Sequence, residues 1–285
     1  MQPQPARYIL KLACPDRLGI VAAVSGFLAQ QDCNVTESAQ FNDPTTGLFF
    51  LRTVFTAGSA SPDGAGLVAG FGAIGRRFAM DWEIFDAAVK QRVLILVSRF
   101  GHCLNDLLYR WRTDALPMTV TAVASNHPDL RPLAGDLPFH HLPMKPGEKA
   151  AQEAALLKLV EETQSDLVVL ARYMQILSSE LAAALKGRCI NIHHSFLPSF
   201  KGAKPYHQAF ERGVKLIGAT AHYVTESLDE GPIVEQGIER VNHTHTPDDL
   251  VAIGRDIECQ VLARAVRWHC EHRVILNGHK TVVFA

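Results

Sequence analysis

Apolar and polar positions over the first 86 residues follow two alternating periods, one typical of strands and one typical of helices. Residues 7–14 form a short apolar run that predicts a strand, and residues 18–29 carry apolar side chains at helical spacing. Four further elements are predicted in this region: strands at 34–41 and 48–55, a helix at 67–78 and a strand at 81–85. The resulting order, βαββαβ, predicts a small domain of the split-βαβ, ferredoxin-like type over residues 1–86.

A second series of elements begins after a short linker, which we place at residues 87–90. Residues 93–97 are continuously apolar, as expected of a parallel strand that is buried on both faces. Strands are then predicted at 120–125, 167–170, 189–193, 216–224 and 233–241, and helices at 104–111, 156–162 and 247–273. Thr246 stands before Pro247 at the start of the last helix and suits its capping position. This alternation predicts a Rossmann-like α/β domain with a mostly parallel sheet over residues 91–285.

The composition favours a globular protein of two domains. The chain has 285 residues, and 47% of them are hydrophobic, so each domain has enough apolar side chains to form a core. Its formal net charge of −1 gives no sign of the basic surface that nucleic-acid-binding proteins usually carry. We therefore expect no nucleic-acid partner.

The cysteines and the length of the apolar runs bear on the compartment. Six cysteines are scattered along the chain without a CxxC pair, which favours reduced thiols. No apolar run approaches the ~20 residues that span a bilayer. The charged residues Lys11, Asp16 and Arg17 interrupt the N-terminal region early, which disfavours a signal peptide. We therefore expect a soluble, cytoplasmic protein without a membrane partner.

Polar side chains suited to catalysis follow the predicted strand at 189–193. Asn191 and His193 point to the same side of that strand, at the edge of the sheet where ligands of open α/β proteins bind. Asp229 lies on a loop before the Gly231-Pro232 turn. Brought together, an amide, an imidazole and a carboxylate can stabilise an oxyanion, move a proton and orient a water. The same residues also suit a structural role, and their spacing alone does not decide between the two.

The segment 191–236 resembles the catalytic segment of the folate-dependent formyltransferase superfamily. The shared pattern is Asn-x-His-x-Ser, a Leu-Pro loop with a glycine, Gly-x-Thr-x-His, and Asp-x-Gly-x-Ile-x-x-Gln. Its residues here are Asn191, His193, Ser195, Leu197, Pro198, Gly202, Gly218, Thr220, His222, Asp229, Gly231, Ile233 and Gln236. The resemblance implies a Rossmann-like formyltransferase domain in which Asn191, His193 and Asp229 are the catalytic residues.

The resemblance also implies where a folate binds. The segment 170–178 would hold the pterin together with the loop 224–229, and the loop 196–202 would close one wall. The expected folate contacts are Leu170, Met174, Ile176, Leu177, Val224 and Glu226. His194, Ser195 and Thr220 are expected to support the three catalytic residues. The folate is then the substrate, so we expect no separate cofactor and no metal.

The turn at residues 98–105 bears on the identity of the formyl acceptor. In the purine-synthesis members, a Gly-x-Gly-Ser-Asn loop at this place binds the acceptor's phosphate, whereas this chain has the bulky Phe100 and His102. The members that formylate transfer RNA have an additional C-terminal β domain and need a basic surface, and we expect neither here.

The turn at 101–110, the strand end at 125–130 and the sequence His193-His194-Ser195 resemble the deformylase branch of the superfamily. This implies that water is the acceptor and that 10-formyltetrahydrofolate is hydrolysed to tetrahydrofolate and formate, which balances one-carbon and formate supply for purine synthesis. Two alternatives stay open: formyl transfer to a small amine, and a catalytically silent amino-acid-binding protein.

The segment 14–21 resembles the strand-to-helix turn of ACT regulatory domains. That resemblance implies a homo-oligomer that pairs through these domains and an amino-acid effector, for which glycine and methionine make metabolic sense. The expected effector contacts are Asp16, Leu18, Gly19, Ile20 and Asn34. A domain that only holds subunits together stays open as the alternative.

Overall fold

The computed structural model describes residues 5–197 and 205–285, and the chain divides into two compact units. The first comprises Met1–Lys90, Glu271–Asn277 and Val282–Ala285, and the second comprises Gln91–Cys270 and Gly278–Thr281. The division after Lys90 lies at the end of the expected linker. The expectation that all of 91–285 belongs to the second domain differs from the structure, because two C-terminal segments group with the first unit.

Hydrogen bonds explain why these C-terminal segments belong to the first unit. The guanidinium of Arg52 donates to the carbonyl oxygen of Glu271 at 3.0 and 3.3 Å, and the Asn277 amide donates to the Asp43 carboxylate at 2.7 Å. The hydrogen bonds from Asn277 and Thr45 hold the pKa of the Asp43 carboxyl well below its ordinary value. Contacts between residues so far apart in sequence leave no periodic signal, so the pattern of apolar residues could not predict them.

The first unit has the predicted βαββαβ order. Its elements are β1 (Arg7–Pro15), α1 (Ile20–Gln30), β2 (Cys33–Asp43), β3 (Leu48–Ala57), α2 (Gly64–Phe78) and β4 (Asp81–Asp86). The strands form an antiparallel sheet in the order β2-β3-β1-β4. Apolar side chains of the sheet, including Leu10 and Phe55, pack with Leu28 and Phe71 of the helices into one core. Towards the end of β1, the buried Leu10, Leu12 and Cys14 alternate with the half-buried Lys11 and Ala13.

The first helix begins two residues later than the spacing of its apolar side chains predicts. Gly19 caps α1 with φ 91° and ψ −2°, a conformation that glycine adopts without the steric cost of a Cβ. Leu18, which we expected within the helix, precedes it and is 99% exposed. The leucine was misassigned because its spacing fits the helical period although its side chain packs on nothing.

The second unit is an α/β domain built on a seven-stranded sheet. Its elements up to the middle are β5 (Gln91–Val97), α3 (His102–Arg112), β6 (Met118–Ser125), α4 (Arg131–Ala134), β7 (Phe139–His141), α5 (Lys149–Glu162), β8 (Leu167–Leu170) and α6 (Ser179–Ala184). The remaining ones are β9 (Cys189–His193), α7 (Pro205–Glu211), β10 (Leu216–Tyr223), β11 (Ile233–Arg240) and α8 (Pro247–Cys270). Two short strands, β12 (Val274–Asn277) and β13 (Lys280–Val283), end the chain.

The sheet of the second unit is mostly parallel, as predicted. Its strand order is β11-β10-β9-β8-β5-β6-β7. The pairs from β9 through β7 are parallel, whereas β10 runs antiparallel to both β9 and β11. The parallel strands are buried along nearly their whole length because helices cover both faces. The last residue of β9, His193, pairs with Thr220 of β10, and Asn191 pairs with His222. Side chains at the end of β9 therefore lie beside those of β10.

The last long helix begins where the sequence predicts, but it ends earlier than predicted. Asp249 N–H donates to the Thr246 hydroxyl at 3.2 Å, and Thr246 N–H donates to the Asp249 carboxylate at 2.7 Å, which is a reciprocal capping pair. The helix α8 ends at Cys270, before the predicted residue 273. Among the residues that the structure describes, no helix has both the length and the apolar character needed to cross a bilayer.

Candidate active site

The pairing of β9 with β10 places four polar side chains side by side. Asn191 lies opposite His222, and His193 lies opposite Thr220 in the antiparallel register. Asn191 Nδ2 is 3.2 Å from Nε2 of His222. The Nδ1 of His222 is 2.9 Å from the Tyr223 carbonyl oxygen, which can only accept, so Nδ1 carries a proton. At most one amide hydrogen of Asn191 is engaged by Nε2 of His222, so the other is left for a ligand.

Asp229 reaches these residues from the loop between β10 and β11. Its Oδ1 lies 3.2 Å from Nδ1 of His193 and 3.7 Å from Nε2 of His222. Its backbone has φ 56°, a left-handed conformation in which aspartate and asparagine are among the better-tolerated residues. The loop is closed by a 2.9 Å hydrogen bond from Tyr223 N–H to the Pro232 carbonyl. A Cβ at Gly231 would overlap the Tyr223 carbonyl oxygen, so only glycine allows this close approach.

Two histidines keep Asp229 ionised. Burial, the largest single influence, raises the pKa of the Asp229 carboxyl, but the hydrogen bonds and charges of His193 and His222 outweigh it. The pKa of Asp229 is therefore well below its ordinary value. Asp229 is a permanent hydrogen-bond acceptor at neutral pH and a weak base.

His193 offers one free nitrogen to a ligand. Its side chain is 7% exposed, and its Nε2 makes no hydrogen bond with any described residue. Because Asp229 faces Nδ1, Nε2 is the atom that can meet a substrate. The next residue, His194, stacks against His193 with ring centroids 5.2 Å apart. Burial and the charges of Arg172 and His193 lower the pKa of His194 to about 4, so its imidazole is neutral at pH 7.

These side chains line a cavity of about 720 Å³ that is formed within the second unit. Asn191, His193 and Asp229 lie in its wall, and so does His194. All the residues expected to contact folate line it as well: Leu170, Met174, Ile176, Leu177, Val224 and Glu226. Met174 and Ile176 are 51% and 62% exposed, which is unusual for apolar side chains and indicates a surface that a flat apolar group covers.

Ser195 and Thr220 lie behind the cavity and hold its wall. The Thr220 hydroxyl donates to the Ser195 carbonyl oxygen at 3.0 Å and accepts from Leu197 N–H at 3.1 Å. Gln236 Nε2 donates to the same hydroxyl at 3.1 Å. These bonds fix the backbone that follows β9. The rest of the expected wall, residues 198–202, lies outside the described part of the chain.

A second polar group in the same cavity was missed by reasoning from the sequence. Glu258 of α8 is 1% exposed, and its carboxylate accepts from the Tyr206 hydroxyl at 2.9 Å and lies 2.8 Å from Nε2 of His102. Arg172, which follows β8, has Nε 3.4 Å from the same carboxylate. A glutamate at an inward position of a long amphipathic helix was the available signal, because a buried carboxylate needs partners.

His102, Cys103 and Glu258 are near enough to one another to suit a metal ion. The guanidinium of Arg172, 3.4 Å from Glu258, places a positive charge where a cation would have to sit. Hydrogen bonds from His102 and Tyr206 and the charge of Arg172 outweigh burial and lower the pKa of Glu258, so these groups already neutralise the carboxylate. The geometry thus favours a protein ion-pair cluster at this place.

The expected effector residues belong to the first unit. Gly19 caps α1, Leu18 precedes it with an exposed side chain, and Ile20 is 2% exposed, so its side chain belongs to the core. The Asp16 carboxylate accepts from the Asn42 amide at 2.8 Å. Asn34 is exposed on β2, the edge strand of the sheet.

Comparisons with known proteins agree with this architecture. Residues 91–266 match the formyl transferase family. The formyltetrahydrofolate deformylase of Corynebacterium sp. (strain P-1) is 53% identical, and the match covers 98% of this chain and 99% of that protein. The formyltetrahydrofolate deformylase of Bacillus subtilis (strain 168) is 48% identical, and the match covers 96% of this chain and 93% of that protein. The crystal structure of the Burkholderia mallei enzyme of that name is 53% identical, with a TM-score of 0.94 over 99% of this chain and 100% of the other.

Proposed function

Because this chain belongs to the formyl transferase family and, within it, to the formyltetrahydrofolate deformylases, we propose that it hydrolyses 10-formyltetrahydrofolate to tetrahydrofolate and formate. One observation carries the proposal from the structure: Asn191, His193 and Asp229 line the same cavity as a wall of exposed apolar side chains. A cavity of this composition suits a flat heterocycle with a reactive group at one end.

The apolar wall receives the pterin. Met174 and Ile176 follow β8, and Val224 follows β10, so the wall is made by segments that come from the two strands flanking β9. Ser98 fixes this wall, because its hydroxyl accepts from Met174 N–H at 2.9 Å and donates to the Asn126 side chain at 2.7 Å. The pterin then lies on a surface whose backbone is already held before the substrate arrives.

The polar end of the cavity performs the hydrolysis. The formyl group is an amide, so its carbon resists attack until negative charge on its oxygen is stabilised. The free amide hydrogen of Asn191 donates to that oxygen, and Nε2–H of His193 does so when the imidazole carries both protons. Asp229 orients the imidazole through Nδ1 and holds the attacking water. As the C–N bond breaks, the proton released by the water passes by way of Asp229 to N10 of the leaving amine.

Water is the acceptor because the alternative acceptor site is filled. The turn before α3 carries Phe100, which packs against the guanidinium groups of Arg172 and Arg255 at 5.5 and 6.0 Å. His102, the first residue of α3, is bound to Glu258. A phosphate at this helix N-terminus would have to displace these side chains and would face the Glu258 carboxylate.

The first unit regulates the enzyme as an ACT-type domain in a homo-oligomer. Its βαββαβ order and the sheet order β2-β3-β1-β4 support this proposal, as does the left-handed Gly19 at the start of α1. An amino acid would bind near Asp16, Leu18, Gly19, Ile20 and Asn34. Light scattering tests the oligomer, and calorimetric titration with glycine and methionine tests the effector. A monomer that binds neither amino acid contradicts the proposed regulation.

The activity is tested by incubating the purified full chain with 10-formyltetrahydrofolate and no amine. Formate and tetrahydrofolate should appear at equal, steady rates. Release that needs an added amine would indicate a transferase, and no release at all with intact amino-acid binding would indicate a sensor. Either result would contradict the deformylase assignment.

A further inference from the structure

Glu258 and the groups around it, His102, Tyr206 and Arg172, form a polar cluster that we call the Glu258 cluster. In this cluster the guanidinium of Arg172 is incompletely paired. Glu258 receives the Tyr206 hydroxyl on Oε1 and His102 on Oε2, so both of its oxygens are engaged by groups other than Arg172. Nε of Arg172 is 3.4 Å from Oε2 but makes no hydrogen bond with it. Its Nη1 is likewise buried and makes no hydrogen bond with any described residue.

The position of Arg172 carries a conformational cost. Its backbone has φ 63°, and a bulky non-glycine residue in this region is a strained outlier. Arg172 lies two residues after Leu170, the last residue of β8, which pairs with Asn191. The left-handed turn sends a long cationic side chain, 11% exposed, into the wall of the cavity. A strained residue with unused donors beside reactive groups points to a ligand.

Arg172 and the hydrolytic residues share one neighbour. His194 stacks on His193, and the charges of Arg172, His193, Glu258 and Asp229 all act on it. His194 is neutral at pH 7, so it adds no charge beside His193 and Arg172. A small anion released near His193 therefore lies on the same side of the cavity as the guanidinium.

We propose that Arg172 is the binding group for the formate product, with its free Nη1–H directed at the carboxylate. This inference rests on the proposed deformylase activity. In the balanced reaction, water adds to the formyl carbon and the C–N bond breaks. One water proton goes to N10 and the other to solvent, and a planar monoanion forms that was not present in the substrate. A guanidinium is matched in shape and charge to such a carboxylate.

The cluster also sets the size and charge of the ligand. The neutral formyl group gains little from the guanidinium, whereas formate gains a charge-assisted hydrogen bond as soon as it is released. Glu258, close to Arg172, repels a dianion such as phosphate more strongly than a monoanion. Arg172 thus takes formate away from His193 and allows the next water to enter.

The test measures binding of 13C-labelled formate to the folate-free full chain by NMR line broadening, with sodium chloride at matched ionic strength as reference. Arg172→Gly removes the guanidinium and relieves the positive-φ backbone, and His102 and Tyr206 stay on the Glu258 carboxylate. The thermal midpoint of this variant is measured beside that of the wild type to check the fold. Arg255→Gln is the matched control, because Arg255 is an exposed arginine of the same cavity. Loss of one charge-assisted hydrogen bond should weaken formate binding ~10-fold or more in R172G. R255Q should bind formate like the wild type.

Formate inhibition of turnover gives the second readout. Inhibition of R172G should need at least ~10-fold more formate than inhibition of the wild type. The KM for 10-formyltetrahydrofolate should differ between the two proteins by less than about 3-fold. The inference is overturned if R172G binds formate as tightly as the wild type does. It is also overturned if R255Q loses formate binding to the same extent as R172G. A wild-type enzyme that turns over but does not bind formate overturns it too. If the wild type binds formate through Arg172 but never hydrolyses the folate, the proposed function fails while the anion site stands.

Discussion

The Nδ1 atom of His193 lies 3.2 Å from Oδ1 of Asp229, although one residue ends a sheet strand and the other lies on a loop beyond the next strand. This contact fixes the orientation of the imidazole and leaves Nε2 without a hydrogen bond to any described residue. It also places the charge of Asp229 directly against the imidazole of the catalytic strand. The reactivity of the site is therefore expected to fail if that single charge is removed.

Replacing Asp229 with asparagine should lower kcat by ~10²–10³ while folate binding stays within a few-fold of wild type. Asparagine keeps the shape of the side chain and tolerates the left-handed backbone at φ 56°, so the loop is preserved. Steady-state release of formate measures kcat, and equilibrium titration with a non-hydrolysable folate measures binding. Glu230→Gln, an exposed neighbour on the same loop, is the control and should keep wild-type turnover. Full activity in D229N would refute the role of the carboxylate.

Gly231 should be irreplaceable for activity although it carries no functional group. The Cβ of alanine at this position would overlap the Tyr223 carbonyl oxygen and lie 3.2 Å from Nδ1 of His222. The loop must then shift and move Asp229 away from His193, and a misplacement of about 1 Å can cost ~10²-fold in rate. Gly231→Ala should therefore lose kcat at least ~10-fold, measured by formate release. Gly26→Ala, where the new Cβ meets open space, serves as control, and equal kcat in both variants would contradict the argument.

Most of the fold could be predicted because its signals are local. A continuous apolar run identified the buried strand at 93–97, and the alternation of elements indicated a mostly parallel sheet. The antiparallel direction of β10 could not be predicted, because a buried strand has the same apolar pattern in either direction. The C-terminal hydrogen bonds to Arg52 and Asp43 were missed for the same reason: the sequence pattern does not encode partners far along the chain.

The candidate site shows the same division. Asn191 and His193 could be placed together because a strand alternates its side chains, and the motif brought in Asp229. Arg172 and Glu258 were not identified, since an arginine after a strand and a glutamate in a helix are usually solvent-exposed. Only the packing of α8 against the sheet shows that Glu258 is 1% exposed and needs its partners. Their chemistry depends on burial, which the sequence alone does not report.

The exposed apolar wall should matter for binding and not for folding. Ile176 is 62% exposed, so Ile176→Asn removes little buried surface and should leave the thermal midpoint within a few degrees of wild type. A bound pterin covers this side chain, so the variant should raise the KM for 10-formyltetrahydrofolate ~10-fold or more at similar kcat. Ile238→Asn is the control, because Ile238 on β11 is 53% exposed and belongs to a different surface. An unchanged KM in I176N would remove this wall from the folate site.

His194 should make the protein less stable in mild acid. Burial and the charges of Arg172 and His193 lower its pKa from 6.5 to about 4 in the folded state. Between these two values the unfolded chain binds a proton that the folded protein does not. The stabilising contribution is therefore fully present above pH 6.5 and is lost as the pH falls toward 4. For a complete shift of this size, the loss amounts to at most ~3 kcal/mol in the free energy of unfolding.

Urea denaturation of the wild type and of His194→Asn at pH 7 and pH 5 measures this contribution. Asparagine does not titrate, so the stability difference between the two pH values should be smaller in H194N than in the wild type. His243→Asn removes an exposed histidine and should reproduce the wild-type pH dependence. The comparison of the wild type with H194N isolates His194, because every other group that titrates in this range is present in both proteins. Equal pH dependence in H194N and the wild type would show that His194 is protonated in the folded state as readily as in the unfolded chain, and that the charges of Arg172 and His193 do not act on it.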